Sequence, residues 1–198
     1  MNEIGPGIHH WKAVHPKIEI EVSSYYVEPA ATLLDPLLPA EGIEWFRDRR
    51  APERIVLTNR HHYRHSDQFQ AEFGCRVLCS EPGLHEFENG PEVEGFAFGA
   101  VLAAGITALE VGAICPDETA LHIELGNGLL AIADGVMNYD ELRFVPDNLL
   151  GDDPEGVKQG LRESYRGLLD RDFDNLLFAH GDPILGGGKE ALREFVER

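Results

Sequence analysis

The 198-residue chain has no apolar run near the roughly 20 residues that a membrane-spanning helix needs. Cysteine is scarce too, and its three copies, an odd number, fit no closed disulfide framework. Basic side chains are outnumbered: 17 Lys and Arg stand against 35 Asp and Glu, for a formal net charge of -18. That balance argues against a nucleic-acid backbone or an anionic membrane as the main partner. The N-terminus shows no basic stretch leading into an apolar one, so no secretory signal is expected there. Internal repeats and low-complexity tracts are absent as well. These absences lead to the expectation of a cytoplasmic protein with a solvated acidic surface, and leave a small-molecule substrate or ligand as the expected kind of partner. A homodimer is compatible with that reading.

What the chain does have is an ordinary globular composition, 43% apolar, with length enough for one sizeable domain over residues 1–198. Strand-like and helix-like segments alternate, which indicates an α/β protein. Residues 17–27 place Ile18, Ile20 and Val22 opposite Lys17, Glu19 and Glu21, the alternation of a half-buried strand. Residues 39–49 read as a helix with Ile43, Trp45 and Phe46 near the core, and 54–58 as a buried strand. Ser66 is suited to cap a helix that Gly74 ends, and 75–79 follows as a strand. Glycines at 95, 99 and 105 break the strands expected over 92–112. Asn127-Gly128 between two apolar runs predicts a β-hairpin. Asp153 as cap, Pro154 at the first position, and Val157, Leu161, Tyr165 and Leu168 at near-helical spacing predict a helix. A strand over 176–179 and a helix over 189–197 close the chain, while His9, His10 and His15 fall in a stretch with no assigned element or role.

The most informative stretch runs from Ile55 to His65. Its apolar strand ends at Thr58 and delivers Asn59, Arg60, His61, His62, Tyr63, Arg64 and His65 at once. Polar residues at the C-terminal end of a buried strand are a common way to build an active site. Asp134 and His180 also end apolar runs, so these strand ends share one rim if they converge. Read as a metal pair, His61-x-x-x-His65 requires a helix, and no Glu follows His61 as a metalloprotease helix would need. The run Gly186-Gly187-Gly188-Lys189 is not a phosphate loop, because Glu190 replaces its Ser or Thr and Pro183 its first glycine. Four residues apart along a strand, Cys75 and Cys79 are too distant for a disulfide and read as core residues.

Taken together, these residues resemble the metallo-β-lactamase superfamily. Its motif Thr-His-x-His-x-Asp-His after an apolar strand aligns with Thr58-Asn59-Arg60-His61-His62-Tyr63-Arg64, and Leu33-Leu34-Asp35 resembles its Leu-Asp-x-Gly turn. Asp134 stands where a strand-ending aspartate is found, and Cys115 lies nineteen positions earlier, where the family has a histidine. Ala179-His180-Gly181 matches the last ligand turn. The resemblance implies a four-layer αββα sandwich and a metal site that has been altered. Asn59 replaces one imidazole, Tyr63 a carboxylate, and Arg64 the second metal's histidine with a cation that cannot ligate. The second metal position is therefore expected to be lost, with Arg64 as a candidate partner for Asp134.

The ligands the resemblance leaves for one metal, Zn²⁺ or iron, are His61, Cys115, Asp134 and His180, all plausible donors. The plain alternatives stand beside them: His61 bonded to a carbonyl, Cys115 as a small buried residue, Asp134 as a cap, and no metal at all. Two function classes follow. One is a hydrolase-like enzyme in which Asp134 orients a water and Arg64 or Tyr63 holds an anionic or carbonyl group, on an ester, lactone, thioester or phosphoester. The other is a non-catalytic relative that binds a ligand or partner without metal.

Overall fold

Residues around His9 and His10 form a strand where the sequence pattern indicates no element. In the computed structural model, which describes residues 1–198, β1 (Asn2–Gly5) and β2 (Ile8–Val14) make an antiparallel hairpin. Both histidines are buried: His9 Nε2 pairs with Glu28 Oε2 at 2.9 Å, and His10 stacks on Tyr25 with its Nε2 3.0 Å from Ser23 Oγ. A buried histidine is admitted to a strand when its ring nitrogen has such a partner, and period-two patterns of apolar residues do not register it. The expected strand over 17–27 is shorter at its start. Its ordered part is β3 (Glu21–Val27), and Ile18 and Ile20 lie exposed in the turn before it.

The chain divides by contacts into two compact units, Met1–Ala97 and Phe98–Arg198. In the first, a seven-stranded sheet runs in sequence order through β4 (Thr32–Leu34), β5 (Arg54–Val56), β6 (Arg76–Ser80) and β7 (Glu94–Phe96). Strands β4 to β7 pair in parallel, with Leu34 opposite Val56 and Val56 opposite Leu78. Parallel neighbours place their C-terminal ends on one edge, so Asp35 and Thr58 emerge side by side. The helix expected over 39–49 is one 3-10 turn, Ile43–Phe46, in which only Phe46 is fully buried. Phe46 packs edge-on against Trp11, Tyr26 and Phe69, in a core shared with Leu33, Ile55, Leu57 and Val77. Helix α1 (Ser66–Phe73) lies where expected, with Gly74 ending it, although His65 rather than Ser66 holds the cap position.

The second unit is built on a five-stranded sheet of β8 (Val101–Ala103), β9 (Ile106–Glu110), β10 (Thr119–Ile123), β11 (Leu129–Ile132) and β14 (Asn175–Phe178). The expected β10–β11 hairpin is present, but its turn is centred on Gly126-Asn127, closed by Gly128 N donating to Leu125 O at 3.0 Å, and Gly128 follows it at φ 77°. A separate ribbon pairs β12 (Val136–Asn138) with β13 (Leu142–Phe144). Helix α2 (Pro154–Leu168) starts as its sequence signals require: the Asp153 side chain accepts from Gly156 N at 3.0 Å, and Pro154 follows. Its Leu161, Tyr165 and Leu168 are buried with Leu192, Phe195 and Val196 of α3 (Gly188–Glu197) against Leu130, Ile132 and Phe178 of the sheet. All three cysteines are free and buried, and no helix is long and apolar enough to cross a membrane.

Candidate functional site

The edge of the first unit's sheet carries a buried polar network. Asp35 follows β4 with a left-handed backbone, φ 46°. Its Oδ1 accepts from Thr58 N at 2.8 Å, and its Oδ2 accepts from Thr58 Oγ1 at 2.5 Å. Residues Arg60–Tyr63 then form a 3-10 turn whose start is fixed by Asn59, the side chain accepting from His61 N at 2.9 Å. That turn sends two adjacent histidines to different places. His61 projects outward and is exposed, whereas His62 turns inward, buried, with Nδ1 3.1 Å from both Asp35 Oδ2 and Thr58 Oγ1.

Burial by itself would raise the Asp35 carboxyl. The His62 charge and hydrogen bond, the Arg64 charge and the Thr58 hydroxyl more than offset it, so the group lies below the ordinary carboxylate value. A carboxylate on Nδ1 sets the tautomer and direction of an imidazole, and metal-ligating histidines are held in this manner. Arg64, also left-handed at φ 48°, donates through Nη1 to Ser23 O at 2.7 Å and Asp35 O at 2.6 Å. The Tyr63 hydroxyl donates to Gln70 Oε1 at 2.8 Å, tying its ring to α1, and burial followed by the Asp67 charge raises its pKa.

In the second unit the register of one parallel strand pair makes the site. Ile132 of β11 lies opposite Phe178 of β14, so the residues two further on, Asp134 and His180, face each other. His180 Nε2 stands 2.9 Å from Asp134 Oδ1. The strand end is held from both sides. Asn138 N donates to His180 O at 3.0 Å and Asp182 N to Asn138 O at 2.7 Å. Between them Gly181 adopts φ 101°, where a Cβ would meet Asn138 O at 1.9 Å, so no other residue fits. Behind Asp134 the fully buried Glu118 accepts from Gly135 N through Oε1 at 2.8 Å. Cys115 is buried in the β9–β10 connection, its carbonyl accepting from Glu118 N at 3.1 Å.

Among the residues singled out in the sequence, Asp134 and His180 are brought into direct contact. His61, Tyr63 and Arg64 share one turn: His61 is exposed, Tyr63 bonds to Gln70, and Arg64 bonds to the carbonyls of Ser23 and Asp35. Two residues of the network carry no such role in the sequence reading. His62 falls outside the family's ligand positions, and Asp35 enters that reading only as part of a turn. The spacing from the Leu33–Asp35 strand end to the Ile55–Thr58 strand end was the available signal, since parallel pairing puts them together. Glu118, a buried acid directly before a strand, was the other.

An imidazole nitrogen and a carboxylate oxygen 2.9 Å apart are close to the roughly 3.3 Å edge of a tetrahedral zinc shell, so Asp134 and His180 fit a metal as donors. No protein-family model matches the sequence, and no curated protein matches it either. Solved structures do. A metallo-β-lactamase family protein from Thermus thermophilus superposes with a TM-score of 0.67 at 16% identity, covering 98% of this chain and 80% of its own. An archaeal metallo-β-lactamase superfamily protein from Sulfolobus tokodaii gives 0.68 at 12% identity, covering 96% and 85%. The protein TTHA1623, solved in a di-iron-bound form, gives 0.68 at 19% identity, covering 91% and 96%. Likeness of this extent at so low an identity shows architecture, and by it the chain has the metallo-β-lactamase fold.

Proposed function

We propose that the chain is a metallo-β-lactamase-like hydrolase with at most one metal ion in a remodelled site. The observation that carries this is the Asp134–His180 pair, two metal-donor side chains held face to face at adjacent strand ends. The family pattern assigns further donors to the 58–65 segment and to position 115. For the segment, His62 joins His61 as a candidate because the Asp35 carboxylate fixes its ring through Nδ1. A bound Zn²⁺ or iron ion would lower the pKa of a water and supply the nucleophile for ester, lactone, thioester or phosphoester cleavage. Asp134 would orient that water, and Arg64 would offer its charge to an anionic or carbonyl group.

A second reading has its own support. Arg64 stands where the second metal's histidine is expected, and its guanidinium is anchored on two backbone carbonyls beside a strained turn. A metal-free relative that binds a ligand or partner would look the same there. Metal content by inductively coupled plasma mass spectrometry, on untagged protein incubated with zinc, separates the two. The hydrolase reading expects about one ion per chain in the wild type and none in His180→Ala. It also expects loss in either His61→Ala or His62→Ala, which identifies the imidazole used. A wild type that stays metal-free removes the metal-dependent form of the hydrolase reading.

A further inference from the structure

The first unit contains a cavity of about 350 Å³ whose charge runs against that of the chain. The protein carries 35 acids, yet Glu86 is the one acid lining this space. Lys17, Arg60 and Arg64 line it, together with His15, His61 and His65. The hydrogen bonds of two of these histidines define their donors. Leu38 N donates to His65 Nδ1 at 3.0 Å, and Lys17 N donates to His15 Nδ1 at 3.2 Å. Each ring, when neutral, therefore carries its proton on Nε2 and presents that edge as an N–H donor. Burial, then the charges of Arg64, His62, Lys17 and His65, lower the His15 pKa below the ordinary histidine value.

The same lining has apolar members. Tyr63 commits its hydroxyl to Gln70, so it offers the cavity its ring, 5.9 Å from the Phe87 ring between centroids. Leu37 and Pro91 continue that surface. N–H donors and a lysine together with aromatic and aliphatic faces, within a volume ordinary for small-molecule sites, specify an amphiphilic ligand. We propose that this cavity binds a small organic anion, its carboxylate or phosphate head against His15, Lys17 and His65 and its apolar body against Tyr63 and Phe87. Calling that anion a substrate rests on the hydrolase reading; binding it does not.

Titration calorimetry on metal-stripped protein tests this with phenyl phosphate and benzoate, against phenol and inorganic phosphate. At least one aromatic anion is expected to bind roughly tenfold or more tighter than phenol and than inorganic phosphate. Lys17→Gln should weaken that binding roughly fivefold, whereas Lys12→Gln, the same charge change outside the lining, should stay within about twofold. The preferred anion then tells carboxylate from phosphate. Binding of neither anion, binding of phenol as tight as that of the anions, or equal losses in the two lysine variants would overturn the proposal. Metal uptake and hydrolysis assays on the same preparations keep the two readings apart. Anion binding with no metal uptake leaves the cavity standing without the enzyme, and hydrolysis without anion binding does the reverse.

Discussion

The Arg64 guanidinium donates to the backbone carbonyl of Asp35 at 2.6 Å, and both residues sit in the left-handed region, at φ 48° and 46°. Neither is glycine, so each conformation costs on the order of 1 kcal/mol or more and persists because its surroundings impose it. For Asp35 those surroundings are Thr58 and His62, which take both carboxylate oxygens. The strain and the network are two sides of one turn.

Asp35→Ala would leave His62 and the Thr58 N–H buried without their acceptor. We expect a loss of about 3–5 kcal/mol, measured by urea denaturation at neutral pH. A loss below about 1 kcal/mol would mean that the network is dispensable.

The Asp35 carboxyl also sets a pH dependence. Its pKa is lowered in the folded state, so its contribution is full above the ordinary value of 3.8 and is lost as pH falls through the folded value. Stability profiles of the wild type and Asp35→Asn should draw together as pH falls below 3.8. Parallel curves over the whole range would show that this group is not the source.

Gly181→Ala forces a Cβ to within 1.9 Å of Asn138 O at a φ of 101°. The strand end must shift and carry His180 with it. The variant should lose about 3 kcal/mol or more of stability, or, if it folds well, metal affinity. Unchanged thermal denaturation with unchanged metal uptake would contradict the clamp described for this turn.

Tyr165 is fully buried, and its hydroxyl has no hydrogen-bond partner. Burial, with the charges of Glu118 and Asp134, holds its pKa well above the ordinary tyrosine value. Removing a buried unsatisfied hydroxyl relieves a desolvation cost, so Tyr165→Phe should stabilise the protein by about 1 kcal/mol. A clear destabilisation would reveal a partner, and chemical denaturation decides it.

Restoring the family pattern tests the altered metal site from the other direction. The combined variant Asn59→His, Tyr63→Asp, Arg64→His and Cys115→His should take up zinc beyond the wild type, as read by mass spectrometry. A folded variant with no added zinc would show that these backbone positions no longer support the family's ligand arrangement.

Much of the second unit was legible in the sequence, because its signals are local. Asp153 and Pro154 start α2 where cap chemistry requires, and the Asn127-Gly128 dipeptide marks the β10–β11 hairpin, although its turn is centred one residue earlier. The strand-ending positions of Thr58, Asp134 and His180 were legible for the same reason, since an apolar run stops there. The N-terminal strands escaped because His9 and His10 read as polar, and only Glu28, Ser23 and Tyr25 make their burial tolerable. The turn at Ile18 and Ile20 escaped for the opposite reason: alternation continues past the end of a strand when exposed apolar residues happen to keep it.

The sequence by itself determined the fold class, the helices α1, α2 and α3 and the strand ends that carry polar groups, since these follow from periodicity and capping within a few residues. Tertiary structure decided which histidine of the His61–His62 pair turns inward, because the carboxylate that selects it belongs to Asp35, on another strand. It also decided that Asp134 and His180 meet. Their contact depends on the parallel register of β11 and β14, which is set by packing between segments more than 40 residues apart.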